Sequence, residues 1–297
     1  MAGLAQDVRY AVRQLRKSPA FTLTVLLTLA IGIGATTAIY TVFYAALLAP
    51  LPYSDPDQLV IVWSKVRGSR ASVSPGDFTD WHQQSHVFQD MKAFYSVNVN
   101  IAGDEAPELI EFQLGTPGLY GMMGLRFQLG RDFLPEEGVA GKDQVVILTN
   151  RRWMQLGADR QIIGKQVILD QKPYTVVGVL ASYPADRWTM QVAGPLAFKP
   201  EQLNRDNHPA LVMARLKPGV TLEQANADMD VVTGQIAEAY PRSNKGWGAS
   251  VVPLKANSVN DNARLTLWLF AGAVGFVLLI ACVNVSNLFV AKGTTRR

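Results

Sequence analysis

Charge is scarce in this chain of 297 residues: Asp, Glu, Lys and Arg supply 18% of it, where a soluble domain carries about 25%. The shortage is local. No charged residue occurs from Ser18 to Ser54 or from Leu265 to Ala291, and the remainder has an ordinary charged fraction of about 22%. Two apolar blocks in an otherwise normal chain exclude a plain soluble protein, a disordered one and a many-span channel. Cysteine is scarcer still. Cys282 is the only one, which excludes an intrachain disulfide framework.

Chemistry-bearing motifs are also missing. His82 and His86 have the spacing of a helical metal pair, but Gln83 stands where a zinc protease needs Glu, and they read as a surface helix. Gly141-Lys142 is no phosphate loop, because Glu136 replaces the upstream glycine and Asp143 the Ser or Thr. The sequence has no G-x-S-x-G elbow. Glu136-Glu137 and Asp228/Asp230 read as solvated acidic faces. No catalytic, cofactor-binding or metal-ligating residue is assigned, and a membrane-anchored enzyme is disfavoured.

The apolar blocks themselves are informative. A bilayer core of about 30 Å needs about 20 apolar residues in helix, and both blocks exceed that. Ser18 caps the first helix, Pro19 opens it, and Pro50 and Pro52 end it. A Pro19–Ala49 helix would be about 46 Å long, so tilt or a protruding stalk is expected. A leader cleaved near Ala45–Ala49 is the alternative. Asp261 or Asn262 caps the second helix. Tyr40, Tyr44, Tyr53 and Trp268 form an interfacial belt on the Pro50/Arg264 side. Gly32 and Gly34 on the first span and Gly272 and Gly275 on the second are candidates for close helix packing, with Asn284 and Asn287 on one polar face. Neither span holds an Asp, Glu, Lys, Arg or His, so no proton relay or buried ion pair is expected there.

The net charge of +4 divides into +3 before Ser18, +3 after Ala291 and −2 between the spans. Positive flanks stay inside. Both termini are therefore expected in the cytoplasm and residues 50–264 outside, with the lipid bilayer as a partner and nucleic acid excluded as one. Residues 1–18, with Leu4, Val8, Val12 and Leu15 at helical spacing, suit an amphipathic segment on the inner leaflet. The expected plan is 1–18 cytoplasmic segment, 19–49 first span, 50–264 external domain, 265–291 second span and 292–297 cytoplasmic tail.

The external part reads as mixed α/β. Strands are expected at Gln58–Val66, Ala93–Ile101, Glu108–Gln113, Gln144–Leu148, Ala210–Leu216 and Ala249–Leu254. A hairpin over Gln166–Leu180 turns at Asp170–Lys172. Ser74-Pro75 starts a helix drawn through to Met91, and a small helix is expected at Gly118–Met123. Thr221 and Gln224 form a capping box for a helix ending before Pro241. The fold class is α+β: two transmembrane helices flanking a mixed α/β core of two subdomains. One subdomain is βαβ-like, about 55–95 with 208–256, and the other is a β-rich insertion at about 96–207.

The segments LAIGIGATTAIYTVFYAALLAPLPYSDPDQLVIVW, SPGDFTDWHQQSHVF, LGRDFLPEEG, QVVILTNRRW, IIGKQVILDQKPYTVVGVL, ARLKPGVTLEQANADM and GAVGFVLLIACVNVSNLFVAKGTTRR follow one another along nearly the whole chain. In that order they resemble MacB-type, FtsX-like ABC-transporter permeases, especially the duplicated orphan permeases of bacteria. The resemblance implies a bacterial inner-membrane protein with a periplasmic core domain and no ATPase site of its own. It implies a cytoplasmic ABC ATPase as partner, whose work is transmitted to the external domain to expel or extract substrate. Such relatives continue past the second span to two further spans. The rest of the machine is therefore expected from a longer chain of which this is a fragment, from a further permease chain, or from a homo-oligomer. The alternative is a two-span extracytoplasmic sensor or receptor, or a membrane-anchored interaction module.

Overall fold

The structure, a computed structural model, describes residues 13, 16, 19–102, 107–182, 190–257 and 261–294. It divides into two compact units, the terminal segments and residues Pro50–Asn257. The expected amphipathic segment 1–18 lies outside the described residues apart from Arg13 and Arg16, as do Ser18, Arg296 and Arg297.

In the terminal unit, α1 runs Pro19–Phe43 and continues as a π-helical turn, Tyr44–Leu48, that stops before Pro50. Asp261–Thr294 forms one long second helix. Spans of 25 residues, Pro19–Phe43 and Ala263–Asn287, are long and apolar enough to cross a bilayer. Thr24, Thr28, Thr36, Thr37 and Thr41 on α1 turn their hydroxyls back to carbonyls one turn earlier, as in Thr36 to Gly32 at 2.7 Å. The side chain thereby satisfies itself in an apolar setting.

The Pro50–Asn257 unit is built on one mixed sheet. In chain order its elements are β1 (Leu59–Val66), β2 (Ser69–Ala71), α2 (Pro75–Gln84), β3 (Phe88–Ile101), β4 (Glu108–Gly115), α3 (Leu119–Met122), β5 (Phe127–Gly130) and β6 (Val145–Leu148). There follow α4 (Asn150–Gln155), β7 (Gln166–Leu169), β8 (Lys172–Leu180), β9 (Val192–Pro195), β10 (Leu211–Leu216), α5 (Leu222–Ala239), α6 (Pro241–Asn244), β11 (Trp247–Pro253) and α7 (Leu254–Asn257). The second apolar helix is α8. Among the described residues the sheet order is β11-β1-β10-β3-β4-β9-β6-β8-β5, with β2 beside β1 and β7 joining β3 to β8.

The sheet has two parts. β11, β1, β10 and the first half of β3 pair antiparallel, covered on one face by α2 and α5. Alternation decides the faces. Val60 and Val62 of β1 enter the core beneath α5, while Leu59 and Ile61 enter the core on the opposite face. Helix α5 has the predicted Thr221–Gln224 capping box. It buries Met229, Val232 and Ile236, each contributing about 1.5–3 kcal/mol. In the second part, β3-β4-β9-β6-β8-β7 returns to β3 and closes a ring. Side chains such as Ile101, Ile110, Leu148 and Val176 fill it. The ring is locked by the Asp170 N–H donating to Asn100 O (2.8 Å) and the Asn100 N–H donating to Asp170 Oδ1 (2.9 Å).

Two expectations need correction. The helix opened by Ser74-Pro75 ends at Gln84, and β3 begins at Phe88. Ser85 leaves the helix in extended conformation, where its hydroxyl donates to Asp228 Oδ2 at 2.6 Å. Strand pairing with β10 then takes residues 88–94. Glu137 is not a solvated acid. It is buried, and Arg131 grips it with two bonds of 2.7 and 3.0 Å.

Candidate functional site

The chain enters and leaves the Pro50–Asn257 unit at neighbouring points. On the incoming side, the Ser54 N–H donates to Met123 O at 3.1 Å. Gly124 follows at φ +72°, and a Cβ there would overlap the Ser54 side chain, so the close approach requires glycine. Arg215 of β10, itself buried, closes the joint. Its guanidinium donates to Met122 O (2.7 Å), Ser54 O (2.8 Å) and Asp55 O (3.3 Å). Among the described residues no carboxylate bonds it, so carbonyl dipoles answer its charge. Asp55 is held in the left-handed region at φ 43° beside this clasp. On the outgoing side, α7 packs against the turn at Pro56–Gln58, and Trp63 Nε1 donates to Asn257 Oδ1 at 2.9 Å.

Both connections rest on one hydrophobic cluster. Leu51 and Tyr53 from the incoming segment pack against it, and Leu254 from the outgoing one is buried in it. Leu59, Ile61 and Met213 come from the first part of the sheet. Tyr120, Phe133, Ile147 and Met190 come from the second. Burial and the nearby Asp132 push the Tyr120 hydroxyl far up, and it donates to Gln113 Oε1 at 2.9 Å. Burial also raises Asp132, although its carboxylate accepts the Gly121 and Phe133 N–H groups. Both connections are thus seated on a core shared by both parts of the sheet.

A cleft of about 430 Å³ opens between α2 and the loops of the second part, lined by Phe78, Met91, Leu196 and Phe198 with His82 and Lys92. Burial would raise Asp90 at its margin. His82 at 3.8 Å and Lys92 at 3.1 Å outweigh that and hold the carboxyl below its usual range. His86 lies past the end of α2, so the two histidines do not share a helix face.

Of the packing candidates, Gly32 lies buried on α1, where a Cβ would stand 3.4 Å from Ala281 and 3.6 Å from Leu278. A Cβ at Gly34, Gly272 or Gly275 would meet nothing within 4 Å. Asn284 and Asn287 are exposed. Sequence reasoning missed Arg215. Its one signal was a charge inside the apolar strand LVMARL.

The sequence matches the family model for the MacB-like periplasmic core domain over residues 22–232. No curated protein sequence matches it significantly. Among solved structures, the fold is similar to a domain of a putative permease protein from Porphyromonas gingivalis. That likeness has TM-score 0.55 and 14% identity, and covers 69% of this chain and 93% of that one. It is also similar to the periplasmic region of MacB from Actinobacillus actinomycetemcomitans, with TM-score 0.51 and 14% identity, covering 71% and 92%. Two apolar helices flanking a periplasmic-type domain are the plan of an inner-membrane protein. The family match spans most of the chain, and the chain belongs to the MacB-like periplasmic core domain family of ABC-type permeases.

Proposed function

We propose that the chain is a permease-type subunit that couples a separate cytoplasmic ATPase to conformational change in the periplasm, for export or extraction of a substrate. Both termini lie in the cytoplasm, and residues 50–264 lie in the periplasm. The observation that carries this reading is the convergence of both chain connections on one core shared by the two parts of the sheet. Charge partition supports the orientation, since the +3 flanks sit outside the spans and the external part is −2. Its partners in this reading are the cytoplasmic ABC ATPase and a further permease chain or a second copy. The test is reconstitution in lipid with an ABC ATPase that co-purifies with the chain. ATP hydrolysis should rise in the presence of the chain, and Arg215→Leu should keep the complex but lose the rise. Unchanged hydrolysis in a verified complex overturns the coupling role.

A further inference from the structure

The far end of β1 carries charge that the fold does not use. Lys65, Arg67 and Arg70 surround the β1–β2 turn, and Arg242 and Lys245 lead into β11 beside it. All five are exposed, and none forms an ion pair among the described residues. No acidic residue occurs from Gln58 to Gly76 or from Ala239 to Asn260. Yet residues 50–264 hold 23 acidic and 21 basic residues, so this tip departs in sign from its own domain. Lys65 also sits directly opposite Arg70 in the strand pair. Like charges in that position are destabilising. A cost borne without a compensating contact marks a position shaped by something other than folding.

An aromatic anchor stands at the same end. Trp247 pairs with Val66 across the strands, and the His208 ring stacks on it at 4.4 Å and 7°. Arg and Trp are the residues that dominate protein interfaces. We propose that this tip is the docking surface for the acidic face of a partner protein. Arginine beside an aromatic anchor favours a protein over lipid headgroups. Within its unit the patch lies at the end of β1 and β11 away from the segments that enter and leave, about 23 Å by strand rise. The proposal needs only the fold and stands apart from the transport reading.

The test uses the full chain in nanodiscs of zwitterionic lipid, with fluorescent poly-L-glutamate as the acidic probe. Binding that weakens with salt is expected, and the double variant Lys65→Glu/Arg67→Glu should lower affinity about tenfold. That variant removes the like-charge pair with Arg70, so it should fold at least as well, as circular dichroism would show. The control Lys142→Glu/Arg160→Glu changes net charge equally at exposed positions elsewhere and should leave affinity unchanged. Equal weakening in the control overturns the site, as does absence of binding. Binding to phosphatidylglycerol vesicles with none to poly-L-glutamate overturns the choice of a protein partner.

Discussion

Asp77 shows what single residues do in this domain. It is buried at the start of α2, where it accepts from the Ser74 hydroxyl (2.7 Å), Asn244 Nδ2 (2.7 Å) and Arg205 Nη1 (2.6 Å). Arg205 also binds Asp80 and lies 3.8 Å over the Tyr240 ring. Arg205→Met would leave two acids without their cation and should destabilise the domain by about 3–5 kcal/mol in denaturant unfolding. The Ser74 cap was legible in the sequence because it is local. The other partners of Asp77 lie 128 and 167 positions away, beyond any local pattern. Glu137 makes a pH prediction. Arg131 holds its carboxyl below the usual range, against a smaller opposing push from burial. A lowered native value means that the unfolded chain binds protons first. The stabilisation is therefore full above the ordinary Glu value and is lost as pH falls through the native one. Thermal unfolding from about pH 6 down to pH 3 should show that acid limb, and Glu137→Gln should flatten it. At the β7–β8 turn, Asp170 and Gln171 have φ of 43° and 64°, the twist a two-residue hairpin demands. Gln171→Gly should stabilise by about 0.5–1 kcal/mol through relief of that strain, read as a rise in melting temperature.

At the scale of elements, the two apolar helices meet along a seam. On α8 the less exposed positions are Leu267, Ala271, Val274, Leu278, Ala281 and Val285, alternating four and three apart. On α1 they include Val25, Gly32 and Ile39, seven apart. That is the spacing of helices that pack side by side at a shallow angle. Phe43 meets Trp268 edge-on at 5.0 Å. Gly32→Leu should force the seam open at Ala281, seen as loss of disulfide cross-linking between cysteines placed at 39 and 271. Composition made both helices legible, but a block apolar all round does not show which stripe faces the partner. The same difficulty affects β11. Its alternation marked a strand, but not that it is the outermost one. Asn226 of α5 closes its open edge at Val251, accepting from the N–H at 3.0 Å and donating to the C=O at 3.2 Å. Asn226→Ala should raise hydrogen exchange at the Val251 amide while exchange in β3 is unchanged.

For the molecule as a whole, the two apolar helices flanking a mixed core were legible because apolar length and composition are global quantities that survive without contacts. The single cysteine makes orientation testable. In a Cys282→Ala background, a cysteine at position 245 should react with a membrane-impermeant thiol reagent applied from the periplasmic side, and one at position 3 should not. Chain order placed the strands, but not that one of them runs through both parts of the sheet. β3 runs 14 residues without interruption, pairing with β10 through its first half and β4 through its second. A continuous strand resists bending in the plane of its hydrogen bonds but yields readily to twist. The two parts are thus joined by a torsion bar and not by a hinge. On the coupling proposed above, a pull arriving at the shared core would turn one part against the other and shear the cleft beside α2.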